Sequence, residues 1–249
     1  MSNKRIVDTS DQFDEKGAKT LDVMAKASAF NQWMYDTIKR HCKGQILEIG
    51  SGIGNISQFF LKDHLDIYVS DIQRQYRDHL HKLLRVHKRD QKPFEINLID
   101  DNFDDQHTEK FGAFDTVFAL NVIEHIENDD LAISNAKKFL KPGGQLIILV
   151  PSYGFLFNQL DTSLSHYRRY TTSSLGELFS KHDFQIKHKQ YFNLAGIPAW
   201  FISGKILGNS IIPSSQLRLF DTLVPLFKCI DWVTFNKVGL STIIVGEKQ

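Results

Sequence analysis

Apolar residues along this chain fall into short continuous runs, separated by longer stretches where they recur every three or four positions. The runs predict strands buried on both faces, where no polar alternation is needed. They cover 44–49, 66–70, 94–99, 114–120, 145–150, 184–191 and 241–247. The stretches between them predict amphipathic helices. The first runs from about Leu21 to His41, with Leu21, Met24, Phe30, Trp33, Met34 and Ile38 at helical spacing. Others cover 55–61, 73–88, 129–140 and 173–182, the last with N-cap candidates from Thr171 to Ser174. In 129–140 the inward face should hold Leu131, Ile133, Ala136, Phe139 and Leu140, and Lys141-Pro142-Gly143-Gly144 should stop the helix.

Strands that alternate with helices imply an α/β fold, a doubly wound and mostly parallel seven-stranded sheet with helices on both faces. The expected organisation is one domain over 1–249, with a helical segment at 21–43 leading into the first strand. Ligands in such sheets bind beyond the carboxyl ends of the strands. Gly50, Asp71, Asp100 and Asn121 each lie just past a predicted strand end.

The first of these ends carries Glu48-Ile49-Gly50-Ser51-Gly52-Ile53-Gly54. A strand running into so glycine-rich a turn lets a ligand approach bare backbone. Asp71, at the end of the second run, is placed to accept two hydrogen bonds from a ribose diol. Together they predict a nucleoside site. The dinucleotide fingerprint is G-x-G-x-x-G, whereas here the glycines fall at every second position and Asn55 follows. Glu48 would repel a pyrophosphate but suits a ligand carrying an amine and a sulfonium.

Composition narrows the classes. With 249 residues, 42% of them hydrophobic and 24% charged, an ordinary packed core is expected. A net charge of +1 gives no electrostatic footprint for nucleic acid, and the basic stretch from His79 to Lys92 reads as the solvated side of a helix. Two distant cysteines, Cys42 and Cys229, imply neither a disulfide framework nor a metal knuckle, so a cytoplasmic location is expected. The polar N-terminus through Lys19 reads as no signal peptide, and no apolar run is long enough to span a bilayer.

The E-x-G-x-G-x-G turn resembles the first motif of class I S-adenosylmethionine-dependent methyltransferases, which have a Rossmann-like sheet. Phe114-Asp115 with Asn121-Val122-Ile123-Glu124-His125-Ile126 is similar to that family's fourth-strand region, and Phe139-Leu140-Lys141-Pro142-Gly143-Gly144 to its turn into the fifth strand. The likeness covers roughly 30–190. It implies S-adenosylmethionine as methyl donor, with S-adenosylhomocysteine as product. It also implies roles: Glu48 lies toward the methionine amine, while Gly50, Ser51, Gly52 and Gly54 pass beneath methionine and ribose. Asp71 holds the ribose hydroxyls, and Ile72 packs on adenine. Asp100 or Asp101 accepts from the adenine amino group, and Asn121 brings backbone near the methionine end.

Two histidines are candidate bases for an oxygen acceptor. His125 follows Glu124, and the pair reads either as orienting the loop at the mouth of the site or as supplying His125 as the base. In the quinone-biosynthesis O-methyltransferases that this region resembles, an acid and a Glu-His pair hold a divalent metal; Asn121 stands in place of that acid here, so no metal is expected. His166 lies in His166-Tyr167-Arg168-Arg169-Tyr170, after the loop holding Tyr153, in a segment expected to reach over the top of the sheet. It resembles a segment of bacterial methyltransferases that accompany glycosyltransferases and lipid or natural-product pathways. The expectation is His166 as base, with Tyr153, Tyr167, Arg168 or Arg169 contacting the acceptor. The same residues would equally serve a solvated helix start.

About fifty residues, 192–240, separate the last two strands and are rich in large apolar groups, among them Trp200, Ile211, Ile212, Leu217 and Phe220. Pro198, Pro213 and Pro225 predict several short helices. The insertion reads as a helical cap, as a lid over a lipophilic acceptor that includes Trp200, or as an interfacial contact on the inner membrane face. The expected activity is methyl transfer to a small acceptor with an apolar portion, on oxygen. The rivals are C-methylation of an aromatic or isoprenoid carbon, and a silent nucleoside-binding partner subunit.

Overall fold

The computed structural model describes residues 21–209 and 214–249. The polar stretch ending at Lys19, and Ile211, Ile212 and Pro213 of the insertion, lie outside the described residues. Six strands form one sheet: β1 (Ile46–Ile49), β2 (Ile67–Val69), β3 (Phe114–Leu120), β4 (Leu140–Pro151), β5 (Phe184–Phe192) and β6 (Ser241–Lys248). Their order is β2-β1-β3-β4-β6-β5. β1 is parallel to β2 and β3, β3 is parallel to β4, and β6 runs antiparallel to β4 and β5. The expected doubly wound α/β fold is therefore present. The chain leaves β1 toward β2 on one side and returns to β3 on the other, which opens a crevice at the carboxyl ends of β1 and β3.

Side chains on a strand alternate between faces, and each face builds its own core. Leu47, Val117, Ala119 and Ile148 point to α5 (Asp129–Lys138) and α7 (Thr172–Lys181), where Ala132, Ile133, Ala136, Leu175 and Phe179 are buried. Ile46, Phe118, Ile147 and Val245 point to the other face. There they pack with Trp33 and Ile38 of α1 (Ser28–Lys39), Phe60 of α2 (Ser57–Lys62), and Leu80 and Leu84 of α3 (Arg74–Val86).

Several boundaries differ from expectation. The run 94–99 forms only a single parallel bridge, Ser70 with Phe94, so among the described residues the sheet has six strands rather than seven. Asn97 turns the chain there: its side chain accepts from the Ile99 N–H (3.1 Å) and its carbonyl from the Asp100 N–H (3.2 Å), an Asx-type turn that competes with a ladder. A short helix, α4 (Phe103–His107), follows. The first helix breaks near Ala27, which precedes α1. Leu131 is exposed because it sits in the first turn of α5, its N–H capped by the Asn128 side chain. That helix ends at Lys138, and Lys141-Pro142-Gly143-Gly144 forms an irregular start to β4, where the pairing register jumps from Phe114–Leu140 to Thr116–Gln145. Further on come α6 (Gln159–Ser163), α8 (Gly196–Trp200), a π-helical turn (Phe201–Ile206) and a single long helix, α9 (Ser214–Val233), which carries Pro225 inside it. Proline costs that helix one hydrogen bond. The helix continues because Leu217 and Val224 are buried and Phe220 and Phe227 pack beside them on the core near α1.

Candidate functional site

The crevice holds a cavity of about 660 Å³, walled by the ends of β1 to β4, by α1, and by the insertion. On the nucleoside side its wall contains Glu48, Gly50, Ser51, Gly52, Asp71 and Ile72. Gly50, Gly52 and Gly54 all have positive φ, at 70°, 55° and 83°. A Cβ on Gly50 would lie 2.5 Å from Val122 Cγ2, so both the backbone conformation and the packing require glycine. Gly54 is one step behind the wall, against Leu83 of α3. Asp71 ties this turn to β2, since its carboxylate accepts from the Gly52 N–H (2.9 Å) and the Gln73 N–H (2.9 Å). Burial pushes its carboxyl up. Glu48 is fully buried and accepts from the Ser57 hydroxyl. Burial pushes its carboxyl up to about 7, with the nearby Asp71 charge adding to the rise. Among the described residues neither acid has a salt-bridge cation. The floor is thus electronegative and suits a cationic ligand.

The opposite end assembles residues from distant parts of the chain. Asn121, at a positive φ of 54°, turns β3 toward Glu124 and His125. His166 meets His125 edge-on, ring centroids 4.6 Å apart. Asp161 of α6, fully buried, organises this corner: it accepts from His166 Nδ1 (2.9 Å), Arg169 Nε (2.8 Å) and the Asn158 N–H (3.0 Å). Those charged and polar donors hold its carboxyl below the usual range despite burial. The bond to Asp161 assigns the His166 proton to Nδ1 and leaves Nε2 as the acceptor nitrogen. Arg169 also donates to the Ser152 carbonyl (3.0 Å) and lies over the Trp200 ring, 4.8 Å from its centroid. Glu124 is buried with neither carboxyl oxygen hydrogen-bonded among the described residues, and burial pushes it up to about 8.

The structure brings together most, not all, of the expected site residues. Asp100 and Asp101 are off the cavity wall: Asp100 turns back to the Asn102 N–H (2.7 Å) and Asp101 is exposed. The wall there is Ile96, Asn97, Leu98 and Ile99. Arg168 points away to a shallower hollow, paired with Asp129 (3.0 Å) and the Glu127 carbonyl (2.6 Å). Tyr167 is exposed, and Tyr153 stacks between Phe155 and Tyr191 instead of facing the cavity. Asn97 and Asp161 escaped the sequence reading. An Asn inside the apolar run 94–99 was the available signal for the first; the second carried none, because its partners are set by tertiary contact. Asp161 to His166 was read as one segment, yet only its fold places the acid under the base. For a metal, Glu124, His125 and His166 offer one ligand atom each within 4.8 Å of one another, so His166 stands where the sequence, with Asn121, lacked a third donor.

Comparison with known proteins agrees with this geometry. Residues 47–146 match a family model described as "Methyltransferase domain". A highly reducing polyketide synthase, number 40, of Fusarium mangiferae is 30% identical over 105 residues, covering 42% of this chain and 4% of the synthase. The hybrid PKS-NRPS synthetase buaA of Petromyces alliaceus is 25% identical over 137 residues, 48% of this chain and 3% of that one. The chain therefore spans only a small fraction of the curated relatives it matches. Three solved structures share the fold. A SAM-dependent methyltransferase of Archaeoglobus fulgidus has a TM-score of 0.56 at 11% identity, covering 88% of this chain and 94% of that one. An O-methyltransferase family protein of Burkholderia thailandensis has 0.56 at 17%, covering 92% and 59%. The [4+2]-cyclase SpnF has 0.57 at 15%, covering 86% and 79%. What these findings give is a match to a methyltransferase domain over residues 47–146, on a fold shared with solved methyltransferases.

Proposed function

We propose that the protein transfers a methyl group from S-adenosylmethionine to an oxygen atom of a small acceptor with an apolar portion. The observation that carries this reading is one cavity with two chemically different ends. One is a glycine turn over an acidic floor, without a salt-bridge cation among the described residues. The other is lined by His166, Arg169, Trp200 and apolar residues of the insertion.

S-adenosylmethionine supplies a methyl group on a positively charged sulfur. Glu48 attracts the amine and sulfonium end, the turn from Gly50 to Gly54 gives it bare backbone, Asp71 accepts from the ribose diol, and Ile72 packs beside the adenine. Asn97 takes the adenine-side place that Asp100 and Asp101 do not reach. His166 Nε2 receives the proton of the acceptor hydroxyl as oxygen attacks, and Asp161 holds the ring in the required tautomer. His125 forms the edge of this corner. The insertion at 192–240 acts as a lid that excludes water through Trp200, Leu217 and Phe220, and the segment at 21–43 closes the side through Leu21, Phe30 and Met34. Holding acceptor and methyl in line is the main contribution of such a site.

The names of the curated relatives favour a polyketide-like acceptor; the second reading is methylation of an aromatic or isoprenoid carbon. Calorimetric titration with S-adenosylhomocysteine, beside Asp71→Ala, tests the donor site; micromolar binding lost in the variant is the expected result. Labelled methyl transfer to phenolic and polyketide acceptors then tests the rest. His166→Ala should abolish O-methylation while leaving S-adenosylhomocysteine binding intact. A wild-type protein that binds no donor or product at millimolar concentration refutes the reading, and one that binds both yet methylates nothing supports the silent partner subunit.

A further inference from the structure

Helix α9 is apolar on two sides. Its inner side is accounted for: Leu217 and Val224 are buried, and Gln216, Leu217 and Phe220 line the cavity. Its outer side is not. Leu219, Leu223, Leu226 and Val233 recur at helical spacing along one stripe and are 64%, 37%, 56% and 64% exposed. Trp232, about 100° round the helix from Val233, and Phe235, just past the helix end, are also exposed, 77% and 78%. An apolar stripe along a surface helix of this length marks an interaction site.

Charge distinguishes what it meets. Both acids of the helix are turned inward and bonded: Asp221 accepts from the Phe30 N–H (2.8 Å), and buried Asp231 from the Asn193 (2.6 Å) and Leu194 (2.8 Å) N–H groups. Lys228 is paired with Asp36 (3.2 Å). Arg218, beside the start of the stripe, and Lys237, beyond its end next to Phe235, are exposed. The outer stripe is therefore flanked by cations and carries no carboxylate. Among the described residues no helix is long and apolar enough to cross a membrane, so a lipid contact through α9 would have the helix lying in the interface plane. Basic flanks, a terminal Trp and a leucine stripe are the composition of such helices.

We propose that the outer face of α9 docks on an anionic lipid bilayer. The docking stands on this surface alone; its consequence, a lipophilic acceptor passing from the bilayer to the cavity on the other side of the same helix, rests on the proposed function.

Cys229 lies beside the stripe and is exposed, whereas Cys42 is largely buried, so an environment-sensitive fluorophore can be placed at Cys229 in the full chain. The probes are vesicles of pure phosphatidylcholine and vesicles with a substantial share of phosphatidylglycerol. The expected result is co-sedimentation and a blue shift with the anionic vesicles, weakened at least tenfold at high salt or on neutral vesicles. Leu223→Glu with Leu226→Glu should abolish it. Calorimetry with S-adenosylhomocysteine on the same variant shows whether the fold and donor site survive; Arg218→Gln with Lys237→Gln, which leaves the leucine stripe intact, is the second variant, expected to weaken binding several-fold. Overturning results are vesicle-independent fluorescence, equal binding by the Glu variant, or light scattering in which the stripe pairs two copies of the chain and the Glu variant is monomeric. Failure of S-adenosylhomocysteine to bind the wild type would sink the methyltransferase reading and leave the vesicle result standing.

Discussion

Glu48 is the residue whose replacement tests the site most sharply. It is an acid buried in the floor of the cavity, free to ionise in the unfolded chain at its ordinary value of 4.5 and held up to about 7 in the folded one. At pH 5 and below the folded protein keeps the carboxyl neutral at little cost. As pH rises through 5 to 7 the unfolded chain ionises first, so folding stability falls. Above about 7 the folded state ionises too and the penalty levels off. One unit of pKa is about 1.4 kcal/mol, so the full penalty is about 3 kcal/mol. Glu48→Gln keeps the size of the side chain and an acceptor for Ser57 while removing the charge. The ligand-free variant should then gain about 2–3 kcal/mol over wild type between pH 5 and pH 8, roughly 5–10 °C in melting temperature for a chain of this size. Ligand binding should move the opposite way. A cationic methionine end favours the carboxylate, so wild-type affinity for S-adenosylmethionine should rise as pH increases through 7, and the variant's should not. Chemical denaturation at pH 5, 6, 7 and 8, with calorimetry at the same points, reads both. A stability difference that is flat across pH, or a variant that binds as tightly as wild type at pH 8, would refute the assignment of Glu48 as the acid facing the donor's cationic end.

Other outcomes follow from single contacts. Gly50→Ala places a Cβ 2.5 Å from Val122 Cγ2 at a φ of 70°; it should cost about 1–2 kcal/mol from the backbone alone, seen as a lower urea midpoint, and weaken donor binding. Asp161→Ala leaves Arg169 buried without its carboxylate partner, a loss of about 3–5 kcal/mol in urea unfolding, and an unchanged midpoint would show that Arg169 finds another partner. Exhaustive chelation should leave methyl transfer unchanged if His166 acts as a base; loss of turnover restored by manganese would show instead that Glu124, His125 and His166 work as a metal site.

The strands and the glycine turn were legible because both are written locally. A run such as 145–150 has to be buried wherever it goes, and three glycines at alternate positions can only make a turn that other residues resist. Asp71 and Ile72 were legible for the same reason, since they sit one and two residues past a strand the sequence already marks. Asp100 and Asp101 lie off the cavity wall because the chain turns at Asn97 before reaching them. The arginine pair could be located in sequence but not told apart: Arg168 reaches Asp129 and Arg169 reaches Asp161, and of the two only Arg169 lines the large cavity.

By itself, then, the sequence determined the alternating α/β architecture, the position of the glycine turn and its acidic neighbours, since each depends on residues adjacent along the chain. Tertiary structure alone decided that His125 and His166 share a corner, that Asp161 holds both His166 and Arg169, and that one side of α9 closes the cavity while the other is left exposed. Those pairings join residues brought close only when the two layers of helices close on the sheet, and no local preference encodes them.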